Sequence, residues 1–376
     1  MIYFDNSATT KPDPDVLRTF TVAAQNYFAN PSSLHGLGIE ADRLLDRSRR
    51  QVAELAGFPD GTVIFTSGGT EANNQALFGF ARQNRSHGRR ILVSSIEHPS
   101  ILNAAAELET EGFEVIRIRT DENGVLDLGD LEEHLNEETV LVSLMFVNNE
   151  TGAIQPIEAA GRLIRRKAPR AVFHSDIIQG FGKLPVPLPP GGPDAVSVSA
   201  HKFHGLKGSG ALIMRKGTRI LPYLFGGGQQ GGLRSGTVPV AHAAALAKAM
   251  RLATESAGKV PYAKWRRELT GFFGLYERVR VIGGPETAPH ILSAAIRGIK
   301  GEVAVNALQE KGIYVSTSSA CSSRSRRESH VLRAMQIDDD FRQGVIRISF
   351  SRDNTDEEVE TFKEAFGELM DTIERV

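Results

Sequence analysis

The segment TVIFTSGGTEANNQALFGFARQ (residues 62–83) holds a strand, a glycine-rich turn and a helix in immediate succession. TVIFT is a short apolar run rich in β-branched residues, the pattern of a buried strand. From residue 70 onward the spacing predicts a helix to residue 83. The same unit recurs as far as residue 215. Strand-like runs stand at ILVSS (91–95), EVIRI (114–118), TVLVSLMF (139–146), AVFHSD (171–176), AVSVSA (195–200) and GALIMR (210–215). Helical patterns fall at 99–111, 128–135 and 157–167, the first of them opening on a proline. This alternation predicts an α/β fold with a mostly parallel sheet covered on both faces. Ligands of such sheets bind beyond the carboxyl ends of the strands. A reactive side chain that directly follows a strand is therefore a candidate for chemistry.

Outward from this region, LPVPLPPGGPD (184–194) reads as a connection inside the sheet, because strand-like runs flank it closely. A boundary is expected near residues 256–261, after a small-residue helix over 240–254. Beyond it the pattern becomes mixed α+β and ends in an acidic helix over 355–375. The expected organisation is a large α/β domain over 13–255 and a smaller α+β domain from 1–12 and 256–376. The 376 residues are 41% hydrophobic and 24% charged, ordinary for a soluble chain with a real core. Lys plus Arg number 44 against 45 Asp plus Glu, which leaves no electrostatic footprint for DNA or an anionic membrane. No apolar run is long enough to cross a bilayer, and MIYFDNSATT carries no signal-peptide pattern. A single cysteine excludes an internal disulfide and a cysteine metal cage. A reducing, cytoplasmic setting is expected, with no metal site.

Five segments carry candidate chemistry. At FTSGGTEANN (65–74), backbone N–H groups and the Thr70 hydroxyl are able to cup a phosphate. A tight turn with Thr70 as helix cap is the other reading. Neither a P-loop nor a dinucleotide fingerprint is present. Asp176 ends a strand, where a buried carboxylate is costly without a cation. A protonated pyridine nitrogen would serve, and a helix cap is again the alternative. Gln179, three residues on, is placed to face the same site. In SVSAHKFHGLKGSG (197–210), Lys202 follows a strand, and a partly desolvated lysine there suits Schiff-base chemistry. Lys207, flanked by glycines, reads as solvated, and His201 and His204 lack a metal-ligand pattern. His98 stands at another strand end. Cys321 lies among small polar residues, the composition of an exposed loop, with Arg324, Arg326 and Arg327 nearby to favour the thiolate. A chance surface cysteine is the alternative.

Together the segments resemble the cysteine desulfurases of the NifS/IscS type, within the class V, fold-type I enzymes that depend on pyridoxal 5'-phosphate (PLP). The resemblance rests on YFDNSATT, NPSSLH, TSGGTEANN, EHPS, VNNETG, HSDIIQ, SAHK, GGGQQGGLRSGTVP, SSACSS and IRIS, in that order. It implies a fold-type I transferase with Lys202 carrying the cofactor and Asp176 pairing its pyridine nitrogen. It implies Gln179 on the ring hydroxyl and His98 stacked on the ring as an acid/base. Gly69, Thr70, Ser199 and His201 would hold the phosphate. Thr237 would reach the phosphate of a partner subunit, which implies a homodimer. Arg347, assisted by Asn149, would bind the carboxylate of L-cysteine. Asn149 would also border the cofactor. Cys321 would take the substrate sulfur as a persulfide, releasing L-alanine. The sulfur would then pass to an acceptor such as an iron–sulfur scaffold, or to tRNA thiolation.

Two departures stand out. The family has a small residue after the cofactor-pairing aspartate, whereas Ile177 follows Asp176 here. Ile177 is expected beneath the ring, opposite His98, where it would shift the ring or weaken cofactor retention. The cluster Arg324, Arg326 and Arg327 reads as a solvated basic loop or as a docking patch for an acidic acceptor. The alternatives for the whole chain are another class V activity (an aminotransferase or selenocysteine lyase) and a cofactor-poor scaffold without catalysis.

Overall fold

The structure, a computed structural model, describes residues 1–187, 191–317 and 328–374. In chain order the strands are β1 (Ile2–Tyr3), β2 (Thr62–Thr66), β3 (Arg90–Ser94), β4 (Glu114–Ile118), β5 (Thr139–Ser143), β6 (Val172–Asp176) and β7 (Ala195–Ser199). They continue with β8 (Gly210–Met214), β9 (Val279–Ile282), β10 (Ile291–Ile296), β11 (Ile313–Tyr314), β12 (Ser316–Thr317) and β13 (Val345–Ser349). Strands β2 to β8 form one seven-stranded sheet in the order β2-β8-β7-β6-β5-β3-β4. Only β8 runs antiparallel to its neighbours. The carboxyl ends of β2, β3, β5, β6 and β7 therefore all meet on one edge.

Residue alternation explains why both faces are covered. Along β2, Val63 and Phe65 enter one apolar core and Ile64 enters the other. Along β8, Ala211 and Ile213 face the first core and Leu212 and Met214 the second. The first core is closed by helices Gly36–Leu55, Ile157–Lys167 and Val240–Ser256, through residues such as Leu45, Ile164 and Leu246. The second is closed by Gly69–Gln83 and Pro99–Thr110, through Leu77, Phe80, Ile101 and Leu108. Two helices at the start of the chain, Pro14–Asn26 and Gly36–Leu55, had not been read from the sequence. The first begins on a proline, with Asp13 capping it by accepting from the Asp15 amide at 2.7 Å.

The TVLVSLMF run was expected as one strand, yet β5 stops at Ser143. Its continuation still bonds to β6: the Leu144 amide donates to the His174 carbonyl at 3.1 Å and the Phe146 amide to that of Asp176 at 2.9 Å. The chain thus leaves the sheet gradually and reaches the carboxyl edge in extended form.

A second sheet, β12-β13-β10-β9, is antiparallel, and β1 pairs in parallel with β11. Its core is aromatic: Phe4, Trp265, Phe273, Phe350, Phe362 and Phe366 are all buried together. The Phe273 and Phe366 rings lie 4.9 Å apart, centroid to centroid. A smaller cluster joins Ile96 and Met145, from the large-sheet edge, to Ala295, Val331 and Val345. Among the described residues no helix is long and apolar enough to cross a membrane. Phe273→Ala would empty the middle of the aromatic core and is expected to cost about 3–5 kcal/mol, read as a lower midpoint in urea unfolding.

Candidate active site

Five strand ends and two distant segments enclose a cavity of about 350 Å³. Its lining includes Gly69 and Thr70 after β2, His98 after β3, Asn149 after β5, and Asp176, Ile178 and Gln179 at the end of β6. Ser199, His201 and Lys202 come from β7 and the turn that follows it. Ser7 and Ala8 arrive from the N-terminal segment, and Arg347 from β13.

Lys202 enters the cavity on a single 3-10 turn, Ala200–Lys202, directly after β7. Its Nζ donates to the Ser7 carbonyl at 2.5 Å and to the Ala8 carbonyl at 2.9 Å. Behind it, Lys183 is half-buried and its Nζ donates to the Lys202 carbonyl at 3.0 Å. Burial, with the charge of Lys202 adding to it, pushes the Lys183 amine down to about 7. His201 is likewise pushed down to about 4 by burial and then by the neighbouring lysines. The surroundings of Lys202 thus shed positive charge.

Asp176 is almost fully buried. Its Oδ2 accepts from Asn73 Nδ2 at 2.8 Å and its Oδ1 from the Ile178 amide at 2.9 Å. Both donors are neutral, and among the described residues Asp176 forms no ion pair. His98 caps the helix Pro99–Thr110: its Nδ1 accepts from the Ser100 amide at 3.1 Å. The neutral ring therefore carries its proton on Nε2. Burial lowers the His98 pKa, opposed by the charge of Asp176.

The residues present fit PLP. Gln179 has a buried Oε1 without a hydrogen-bond partner, while its Nε2 donates to the Ser7 carbonyl at 3.0 Å. A Cβ on Gly69 would lie 2.3 Å from Ile178 Cδ1 and 3.3 Å from Ser199 Cβ, so a larger residue there would press on both and narrow this corner of the cavity. The helix Gly69–Gln83 starts at Gly68 with no side-chain cap, which leaves its first N–H groups to an anion. A buried carboxylate for a ring nitrogen, an amine for an aldehyde and an open helix start for a phosphate share one cavity.

Most of the described residues chosen from the sequence converge here, but Thr237 and Ile177 do not. Thr237 is exposed and does not line the cavity of its own chain. Ile177 packs into the first apolar core, and it is Ile178 that lines the cavity beside Gly69. The expectation that Ile177 lies beneath the cofactor is therefore corrected. Cys321, with Arg324, Arg326 and Arg327, lies outside the described residues. Sequence reasoning missed Asp5, Ser7, Ala8, Asn73, Glu97 and Glu150. Asn73 had a signal: it sits three residues after Thr70, on the same helix face.

A model of the class-V aminotransferases matches residues 2–362. The chain belongs to that family. A NifS/IcsS protein homolog of Lactobacillus delbrueckii subsp. bulgaricus is 42% identical over 100% of this chain and 99% of its own. A cysteine desulfurase IscS of Pectobacterium carotovorum is 39% identical over 98% of this chain and 94% of its own. Among solved structures, a NifS-like protein superposes with a TM-score of 0.92 at 38% identity, covering 99% of both chains. A NifS-like protein from Rickettsia africae gives 0.88 at 31% identity, again over 99% of both. Within the class-V family, then, the chain stands with the NifS/IscS cysteine desulfurases, enzymes on an α/β fold.

Beside the cavity, Glu97 is completely buried. Its Oε1 accepts from Ser94 Oγ at 2.5 Å and from the Met145 amide at 2.8 Å, while Oε2 has no partner. Burial pushes its pKa up to about 8. The folded protein thus keeps a proton that the unfolded chain loses above its ordinary carboxylate range. Stability must fall as pH rises through that window and level off above about 8. Glu97→Gln lacks this proton. Between about pH 5 and about pH 8, unfolding free energies from urea titrations are expected to drop more for the wild type than for the variant, by on the order of a few kcal/mol.

Proposed function

We propose that this chain is a PLP-dependent cysteine desulfurase that converts L-cysteine to L-alanine and leaves the sulfur as a persulfide on Cys321. One observation carries the reading: Lys202, Asp176, Gln179, His98 and the open helix start at Gly69 and Thr70 share one cavity with Arg347. Lys202 would hold the cofactor aldehyde, Asp176 its ring nitrogen and Gln179 its ring hydroxyl. Gly69, Thr70, Ser199 and His201 would hold its phosphate, with Asn149 at its border. When bound, PLP acts as an electron sink for charge that develops at the α-carbon of the substrate.

The chain's own residues do the rest. Arg347 and Asn149 hold the substrate carboxylate. Lys202 Nζ takes the α-proton, and His98 presents its Nε2 proton to the cavity. The Cys321 thiolate attacks the substrate sulfur: an S–S bond forms as the Cβ–S bond breaks. The electron pair of the broken bond stays on carbon, which takes a proton and becomes the methyl group of alanine. No outside oxidant or reductant is needed. We also propose a homodimer, supported by the exposed Phe28, Leu34 and Phe225 and by the outward position of Thr237. A cytoplasmic setting would keep the thiol reduced, and an acceptor protein such as an iron–sulfur scaffold would collect the sulfur.

With PLP and L-cysteine, mass spectrometry is expected to show a one-sulfur gain on Cys321 and an equal amount of alanine. Lys202→Ala is expected to lose both, and Cys321→Ser to lose alanine release as well. Alanine release that survives in Cys321→Ser would favour a lyase, and a keto-acid product an aminotransferase.

A further inference from the structure

Arg347 already has a carboxylate partner. Its side chain is only 2% exposed, and its Nη2 donates to Asp5 Oδ1 at 2.8 Å. Its Nη1 donates to the Asn149 carbonyl at 2.9 Å, while its Nε is buried without a partner. The guanidinium is therefore oriented on one side and unsatisfied on another, at the wall of the cavity. Asp5 itself is 21% exposed and lies two residues before Ser7, one of the two residues whose carbonyls hold Lys202.

A buried guanidinium without a counter-charge is costly, so the resting protein needs an anion there. Asp5 supplies it. A ligand carboxylate that binds Arg347 must then share the cation with Asp5 and lie near its negative charge. The same penalty applies to substrate and to product, because L-cysteine and L-alanine carry the same carboxylate. We propose that Asp5 is a positioning residue with two effects: it aims the Arg347 fork into the cavity, and it weakens the hold on the amino-acid carboxylate so that alanine leaves. This deepens the desulfurase reading and rests on it.

Asp5→Asn separates the two effects, because the amide oxygen still accepts from Nη2 while the charge is gone. L-alanine binding to the PLP-loaded enzyme, followed by cofactor absorbance, is expected to tighten roughly three- to tenfold. KM for L-cysteine should fall with it, and kcat should fall as product release slows. Ethylamine, which lacks the carboxylate, is expected to bind both proteins equally. Asp5→Ala removes the acceptor as well and is expected to bind L-alanine less tightly than Asp5→Asn. L-alanine affinity that is unchanged or weaker in Asp5→Asn overturns the proposal, as does equal tightening of ethylamine. A wild-type enzyme whose spectrum ignores L-cysteine would instead overturn the desulfurase reading itself.

Discussion

The amine of Lys202 is held by the carbonyls of Ser7 and Ala8, and that contact depends on a long-range docking event. Residues 5–10 lie between the end of β7 and the edge of β13. On one side Thr10 donates to the His201 carbonyl through both its amide, at 2.8 Å, and its hydroxyl, at 3.0 Å. On the other, Asn6 Nδ2 donates to the Ser349 carbonyl at 2.9 Å and the Ser7 amide to Ser349 Oγ at 2.8 Å. One short strip of chain thereby fastens the large sheet to the small one and sets the reactive amine. Arg347 is brought to the same place because β13 is the strand that receives the strip.

Burial is the second constraint, and it sorts the acids of the site by their partners. Glu150 lines the cavity, and burial pushes it up to about 7, against hydrogen bonding from Ser329 and the charge of Arg347. Glu97 is pushed further, to about 8, by burial, with the charge of Asp176 adding to it where Glu150 has that of Arg347 opposing. Burial thus holds two carboxyl groups at the cavity and beside it well above the usual carboxylate range.

Much of this was legible in the sequence, for a physical reason. Runs such as AVSVSA and TVIFT mark buried parallel strands, and an α/β sheet puts its chemistry where those runs end. That rule selected Lys202 over Lys207 and picked out His98, Asp176 and Gln179. It failed where the strand pattern stops. After Asp176 the chain turns, so strand alternation no longer tells which of Ile177 and Ile178 faces the cavity, and the wrong one was chosen. Asp5, Ser7 and Ala8 were quoted as a motif but given no task, because their partners are remote: 342 residues separate Asp5 from Arg347 and 195 separate Ser7 from Lys202. Thr237 belongs to a different class: it is exposed and away from the cavity, so nothing within this chain tests the role its motif suggested.

The Asp5–Arg347 pair also has a consequence for how the protein is made. Ribosomes deliver a chain from its N-terminus, so Asp5 emerges first and Arg347 nearly last. The sheet of strands β2 to β8 can assemble while translation continues, but the centre it supports cannot. Until β11 and β13 emerge, the apolar side chain of Phe4 has no core to enter, and the nascent chain must carry that sticky segment through most of its synthesis. The cavity that joins the two ends of the chain is therefore completed late, only in chains that have been finished.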